Sequence, residues 1–113
     1  MKPKIFCFDI DGTICITKKG DYKKSKPIKK NIKAVNRLYN SGNKIIFFTS
    51  RYMTKLKKKD INSIGYDFTE KQLNSWGVKF HKLYMCKPEY DFIIDDKSIF
   101  YDKKWNKTLL KFL

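Results

Sequence analysis

Apolar residues never run long enough in this chain to cross a bilayer, which takes roughly 20 in succession. A transmembrane helix and a membrane partner are thereby excluded from the expectations. The first residues also lack the basic, apolar and small-residue pattern of a secretory signal, so the chain reads as one that stays in the cytoplasm. Cysteine is scarce and odd in number. Cys7, Cys15 and Cys86 show no metal-ligand spacing, which excludes a disulfide framework and fits free thiols in a reducing compartment. Linkers and internal repeats are absent too. With 113 residues there is enough chain for one core and too little for two, so residues 1–113 read as a single domain.

Acid is in short supply. Eleven Asp and Glu stand against 26 Lys and Arg, a formal net charge of +15, and only Arg37 and Arg51 among the bases are arginine. Such a charge draws polyanions, nucleic acid and phosphorylated metabolites alike, in a salt-dependent way. The strongest basic run, "KLKKK" at 55–59, lacks the interleaved aromatics of a single-strand binding groove and reads as a solvated helix side. Nucleic acid is therefore not the favoured partner.

What is present is a repeated local pattern. "KIFCFD" at 4–9, "KIIFFTSR" at 44–51, "VKFHKLYM" at 78–85 and "YDFIIDD" at 90–96 are short apolar runs, each reading as a strand. Between the first two, Ile28, Ile32, Val35, Leu38 and Tyr39 fall on one helical face, with Pro27 before and Gly42 after. Residues 52–77 read as helical in pieces, residues 12–27 as a polar flap, and "WNKTLLKFL" at 105–113 as a closing helix or an edge strand. Strands alternating with helices predict an α/β fold: a three-layer sandwich around a parallel, Rossmann-like sheet. In such sheets ligands bind outside the carboxyl ends of the strands.

Polar residues collect at those ends. Asp9 and Asp11 follow the first run, Thr49, Ser50 and Arg51 the second, Lys87 the third, and Asp95, Asp96 and Lys97 the fourth. Four carboxylates in one cleft repel unless a cation compensates. With no clustered His or Cys, an all-oxygen donor set of Asp9, Asp11, Asp95 and Asp96 favours magnesium over zinc. Thr49, Ser50 and nearby amides offer hydrogen bonds to a phosphate, and Lys87 offers a point charge. A carboxylate can attack phosphorus while a second one moves a proton. Each piece has an ordinary structural explanation as well: Asp-Gly makes turns, Thr and Ser cap helices, and Lys87 is one lysine among 24.

Taken in order, "DIDGT", "FFTSR", "KP" at Lys87 and Pro88, and "IIDD" resemble the four motifs of haloacid dehalogenase superfamily phosphatases. The wider pattern, with "QLNSWGVKFHKLY" and "IDDKS", is similar to small capsule-polysaccharide biosynthesis phosphatases. The resemblance implies a capless core domain with a short flap at about 12–27. It makes Asp9 nucleophile and magnesium ligand, and Asp11 proton donor and acceptor, with its backbone carbonyl as a further metal ligand. Thr49 becomes a phosphoryl hydrogen-bonding group and Lys87 the neutralising charge. Asp96 becomes a direct metal ligand, with Asp95 acting through water or from behind the direct ligands. Ser50, Arg51 and Lys97 flank these positions and are read as substrate-binding. Cys86 departs from the pattern, which has glycine before the lysine.

The expected function is magnesium-dependent hydrolysis of a phosphomonoester, through an aspartyl-phosphate, on a small phosphorylated metabolite such as a sugar phosphate. A nucleotide or polynucleotide-end phosphatase is the alternative that the charge suggests, and an idle binding module with the same fold is the alternative from another class. A capless site is open, so a homo-oligomer closing over it is a further expectation.

Overall fold

The computed structural model describes residues 2–113. Strand β1 (Ile5–Phe8) leads into a tight turn at Gly12 and a small hairpin, β2 (Cys15–Ile16) against β3 (Lys26–Pro27). Helix α1 (Lys29–Asn40) returns to β4 (Lys44–Phe48). A short helix α2 (Lys58–Asp60), a π-helical segment Ile61–Gly65 and helix α3 (Tyr66–Ser75) then run without interruption toward β5 (Lys82–Tyr84). The chain closes with helix α4 (Trp105–Thr108) and the 3₁₀ turn Leu109–Phe112. No helix among the described residues is long and apolar enough to cross a membrane.

The main sheet is parallel, in the order β1-β4-β5, with Phe8 level with Phe47 and Phe47 level with Leu83. Both crossovers advance in the same direction, and right-handed crossovers then place α1 and α3 on the same face. Side-chain alternation sorts the residues accordingly. Phe8, Ile45, Phe47 and Leu83 are buried toward the helices, in one cluster with Val35, Leu38, Leu73 and Val78. Helix α4 joins that face, Trp105 lying 5.8 Å from Phe8 and Phe112 lying 5.3 Å from Phe6, ring centroid to ring centroid. The opposite face carries Ile5, Cys7 and Tyr84, all exposed. Two layers therefore stand where three were expected.

The fourth expected strand is not formed either. Residues 91–100 are exposed coil and turn, with Phe92 89% and Ile94 99% accessible. The outer edge of β1, where a further parallel strand would sit, has no strand partner among the described residues. The reason is the length of the connection. A parallel neighbour must be re-entered from the amino end of the sheet, a crossover that takes a dozen or more residues. Only Pro88–Asp91 separate Lys87 from Phe92. Four residues reach about 14 Å at most, less than the length of a five-residue strand plus the sideways step past β4 and β1. Third-strand residues Val78–Phe80 are likewise outside β5, which is confined to Lys82–Tyr84. The tail resolves into a helix rather than an edge strand.

Candidate active site

β1, β4 and β5 deliver their next residues to one edge. Thr49 N–H donates to the Tyr84 carbonyl (3.1 Å) and Lys87 N–H donates to the Thr49 carbonyl (3.0 Å), so the β4 and β5 exits are stitched side by side. Asp9 leaves β1 beside them. Asp9, Ser50, Lys87, Pro88, Glu89, Tyr90 and Asp91 line one open cleft of about 580 Å³. Thr49 lies just beneath it, buried, its hydroxyl oxygen accepting from the Arg51 amide (3.1 Å).

The two first-motif acids are separated by a fully buried Ile10. Thr13 and Ile14 amides fold back to the Ile10 carbonyl (3.0 and 2.9 Å), and Gly12 at φ +80° allows that turn. The acids consequently face different surroundings. Burial raises the Asp9 carboxyl above its ordinary value, while the Lys87 charge, the Ile10 amide and Arg51 act in the opposite sense. Burial acts to lower Lys87, but the Tyr90 hydroxyl and the charge of Asp9 outweigh it and hold the ammonium above its ordinary value. The Lys87 ammonium lies 5.2 Å from the centre of the Tyr90 ring.

Asp11 is clasped. Arg51 donates from Nε to Oδ2 (2.9 Å) and from Nη2 to Oδ1 (2.9 Å), a bidentate pair. Thr17 adds a hydroxyl at 2.5 Å and Cys15 a thiol at 3.5 Å. The guanidinium is fully buried, its Nη1 donating to Gln72 Oε1 (2.7 Å) and its face stacked on Tyr22 (4.7 Å). Gln72 is itself fixed by donating to the Tyr22 carbonyl (2.7 Å). Inside this knot, burial pushes the Cys15 thiol up to about 11. Arg51, expected to bind substrate, is thus wholly engaged by Asp11 and Gln72 and does not line the cleft.

Asp95, Asp96 and Lys97 are not brought to the cleft. Asp95 sits in an exposed turn, Oδ1 accepting from the Lys97 amide (2.9 Å) and its carbonyl accepting from the Ser98 hydroxyl (2.8 Å). Among the described residues no group of three or more His, Cys, Asp or Glu is placed to hold a metal ion. Glu89 and Asp91 line the cleft with Asp9 but do not form such a group. A single chain therefore presents only part of the expected magnesium donor set: Asp9 is available, and the Arg51 pair engages the Asp11 carboxylate rather than the backbone carbonyl expected to bind, but the last two acids are elsewhere.

Cys86, where glycine was expected, adopts φ +65°, the left-handed region that favours glycine. The backbone keeps the turn that aims Lys87 even though the residue is wrong for it. Sequence reasoning missed Thr17, Tyr22 and Gln72 around Asp11, and Tyr90 beside Lys87. One signal for the first group was present: Arg51 is one of two arginines in a lysine-rich chain, and a planar fork is kept where a bidentate partner requires it.

No protein-family model and no curated protein matches the chain. Solved structures do. A crystal structure of a structural-genomics target from Vibrio cholerae superposes with a TM-score of 0.78 at 21% identity, over 96% of this chain and 97% of that one. D,D-heptose 1,7-bisphosphate phosphatase from B. bronchiseptica, complexed with magnesium and phosphate, superposes with a TM-score of 0.52 at 17% identity. That match covers 74% of this chain, which spans about half (49%) of the phosphatase. At these identities the likeness is one of fold: the chain shares the α/β architecture of these two structures.

Proposed function

We propose that the chain hydrolyses phosphomonoesters, with Asp9 as nucleophile and a small phosphorylated metabolite of the sugar-phosphate kind as substrate. The observation that carries the reading is the meeting of Asp9, Ser50 and Lys87 in one cleft at the carboxyl ends of three adjacent parallel strands. The Asp9 carboxylate attacks phosphorus, the bond to the leaving oxygen breaks, and an aspartyl-phosphate remains until water releases phosphate. Ser50 and the Thr49 region hold phosphoryl oxygens, and Lys87 opposes the charge that builds on them. Asp11 protonates the leaving oxygen and later takes the proton of water, which requires it to leave the guanidinium of Arg51 first. No step is assigned to a metal, because one chain does not gather its ligands.

On this reading the domain is capless and the β2–β3 hairpin, with Lys18, Lys19, Lys23 and Lys24 between its strands, is the flap beside the cleft. The bisphosphate named for the B. bronchiseptica structure supports phosphorylated sugars as the first substrates to try. Capsule-polysaccharide synthesis is the pathway that the motif pattern favours. The +15 charge favours a second reading, in which the ester belongs to a nucleotide or a polynucleotide end. The test is phosphate release from a panel of sugar phosphates, nucleotides, 5′- and 3′-phosphorylated oligonucleotides and an aryl phosphate, with and without magnesium. Turnover that disappears in Asp9→Asn supports the proposal. Silence across the panel returns the chain to a binding role.

A further inference from the structure

The unpaired edge of β1 and the stray apolar segment after Lys87 fit one another, but not within one chain. Phe92 and Ile94 are almost fully exposed, in a stretch rich in β-formers that pairs with nothing among the described residues. A bare sheet edge and an exposed apolar strand are each a liability in isolation. Tyr90 and Asp91 already stand in the cleft at the carboxyl end of the sheet. From there the segment can run beside its own β1 only in the antiparallel sense, which would carry Asp95 and Asp96 away from Asp9.

We infer that residues 92–95 of each chain add a parallel strand to β1 of a second copy, so that the cleft of each copy is completed by the partner's acids. This deepens the proposed function and rests on it for the role of those acids. The topology permits it. In a two-fold pair with antiparallel sheets, the carboxyl edge of one copy faces the amino edge of the other, so the segment leaves its own cleft and enters the partner's sheet at the amino end without a crossover. Setting Asp95 level with Asp9 places Ile94 beside Phe8, facing the helices, and Ile93 beside Cys7, on the open face. Residues 89–96 hold four of the eleven acids and no base, in a chain of net charge +15, so the arm as a whole is drawn toward the basic surface of a second copy, while its acids gathered beside Asp9 repel until a cation joins them. The exchange supplies Asp95 and Asp96 next to Asp9, the oxygen donors whose absence from a single chain leaves a divalent cation unaccommodated.

Four measurements on the full chain test this. Mass from light scattering should be twice that of the chain. Ile94→Lys, at a position solvated in the single copy, should return the monomer with its fold intact by circular dichroism. Ile93→Cys should give a disulfide-linked dimer with Cys7 under mild copper-phenanthroline oxidation, and Cys7→Ser should abolish the link. Mixing unfolded-and-refolded Asp9→Asn chains with Asp95→Asn/Asp96→Asn chains should restore about a quarter of wild-type turnover, since one composite site in each mixed pair is intact. A monomer at tens of micromolar, or a dimer that survives Ile94→Lys and forms no Cys7 link, overturns the exchange. A cross-linked dimer without turnover on any phosphate ester leaves the exchange standing and rejects the phosphatase. Turnover by a monomer does the reverse.

Discussion

At the scale of single residues, the two acids that bracket Ile10 have different partners: Asp9 faces Lys87 across the cleft, and Asp11 is clasped by Arg51. The Asp9 carboxyl is raised by burial from a reference of 3.8. An acid raised in the folded state stabilises the fold fully below its unfolded value, and that contribution is lost as pH rises through the folded value. Asp9→Asn cannot ionise and escapes the loss. Its melting temperature should therefore gain a few degrees on the wild type as pH rises from about 3 to 7, even though turnover is gone. In the active protein, the acid limb of kcat/KM should lie above the reference carboxylate, and Lys87→Met should move it further up by removing the charge that opposes burial. Asp11 behaves differently, because its partner is buried and bidentate. Arg51→Met strips Asp11 and Gln72 together, and the cost should be about 3 kcal/mol, the low end for a broken buried pair, since the Asp11 side chain is 27% exposed. A lower urea midpoint with unchanged slope would register it.

At the scale of elements, the two faces of the sheet should respond unequally to truncation. Leu83 is buried against the helices, whereas its neighbour Tyr84 is 46% exposed on the other face. Leu83→Ala should cost about 3 kcal/mol and Tyr84→Ala less than about 1 kcal/mol, read from chemical denaturation. Equal costs would mean that a layer covers the second face. The same elements mark what could be read from the chain in advance. β1, α1 and β4 follow from apolar runs and one helical stripe, because local pattern and burial agree there. The run at 90–96 is just as apolar, but a strand also needs a route to its neighbour. That information lay in the spacing between Lys87 and Phe92 rather than in the run itself. The clasp on Asp11 was hidden for a different reason: Asp11 and Arg51 are 40 residues apart, and no periodicity links an acid in a turn to a base after a distant strand.

At the scale of the whole molecule, charge dominates. A surface of lysines at +15 attracts any polyanion, so oligonucleotides and heparin should inhibit turnover of a small ester at low ionic strength. The inhibition should fall steeply between about 50 and 200 mM salt, as expected for released counterions, while catalysis itself changes little. Inhibition that persists at high salt would instead mark the oligonucleotide as the substrate class. The distribution of acids sharpens the contrast. Apart from Asp9 and Asp11 in the first turn, the densest acidic stretch is the exposed arm after Lys87, so the chain is electrostatically divided against itself.

The tail has a consequence of its own. The Tyr101 hydroxyl donates to the Gly12 carbonyl (2.6 Å), and Trp105 rests on Phe8. The segment that leads into the closing helix is thereby fastened to the turn that follows the nucleophile, Tyr101 to Gly12, 89 positions apart. Peeling away residues 105–112 should loosen that turn in the same opening event. Amide deuterium uptake at residues 12–14 and at the closing helix should then share one protection factor, and Tyr101→Phe should lower both together.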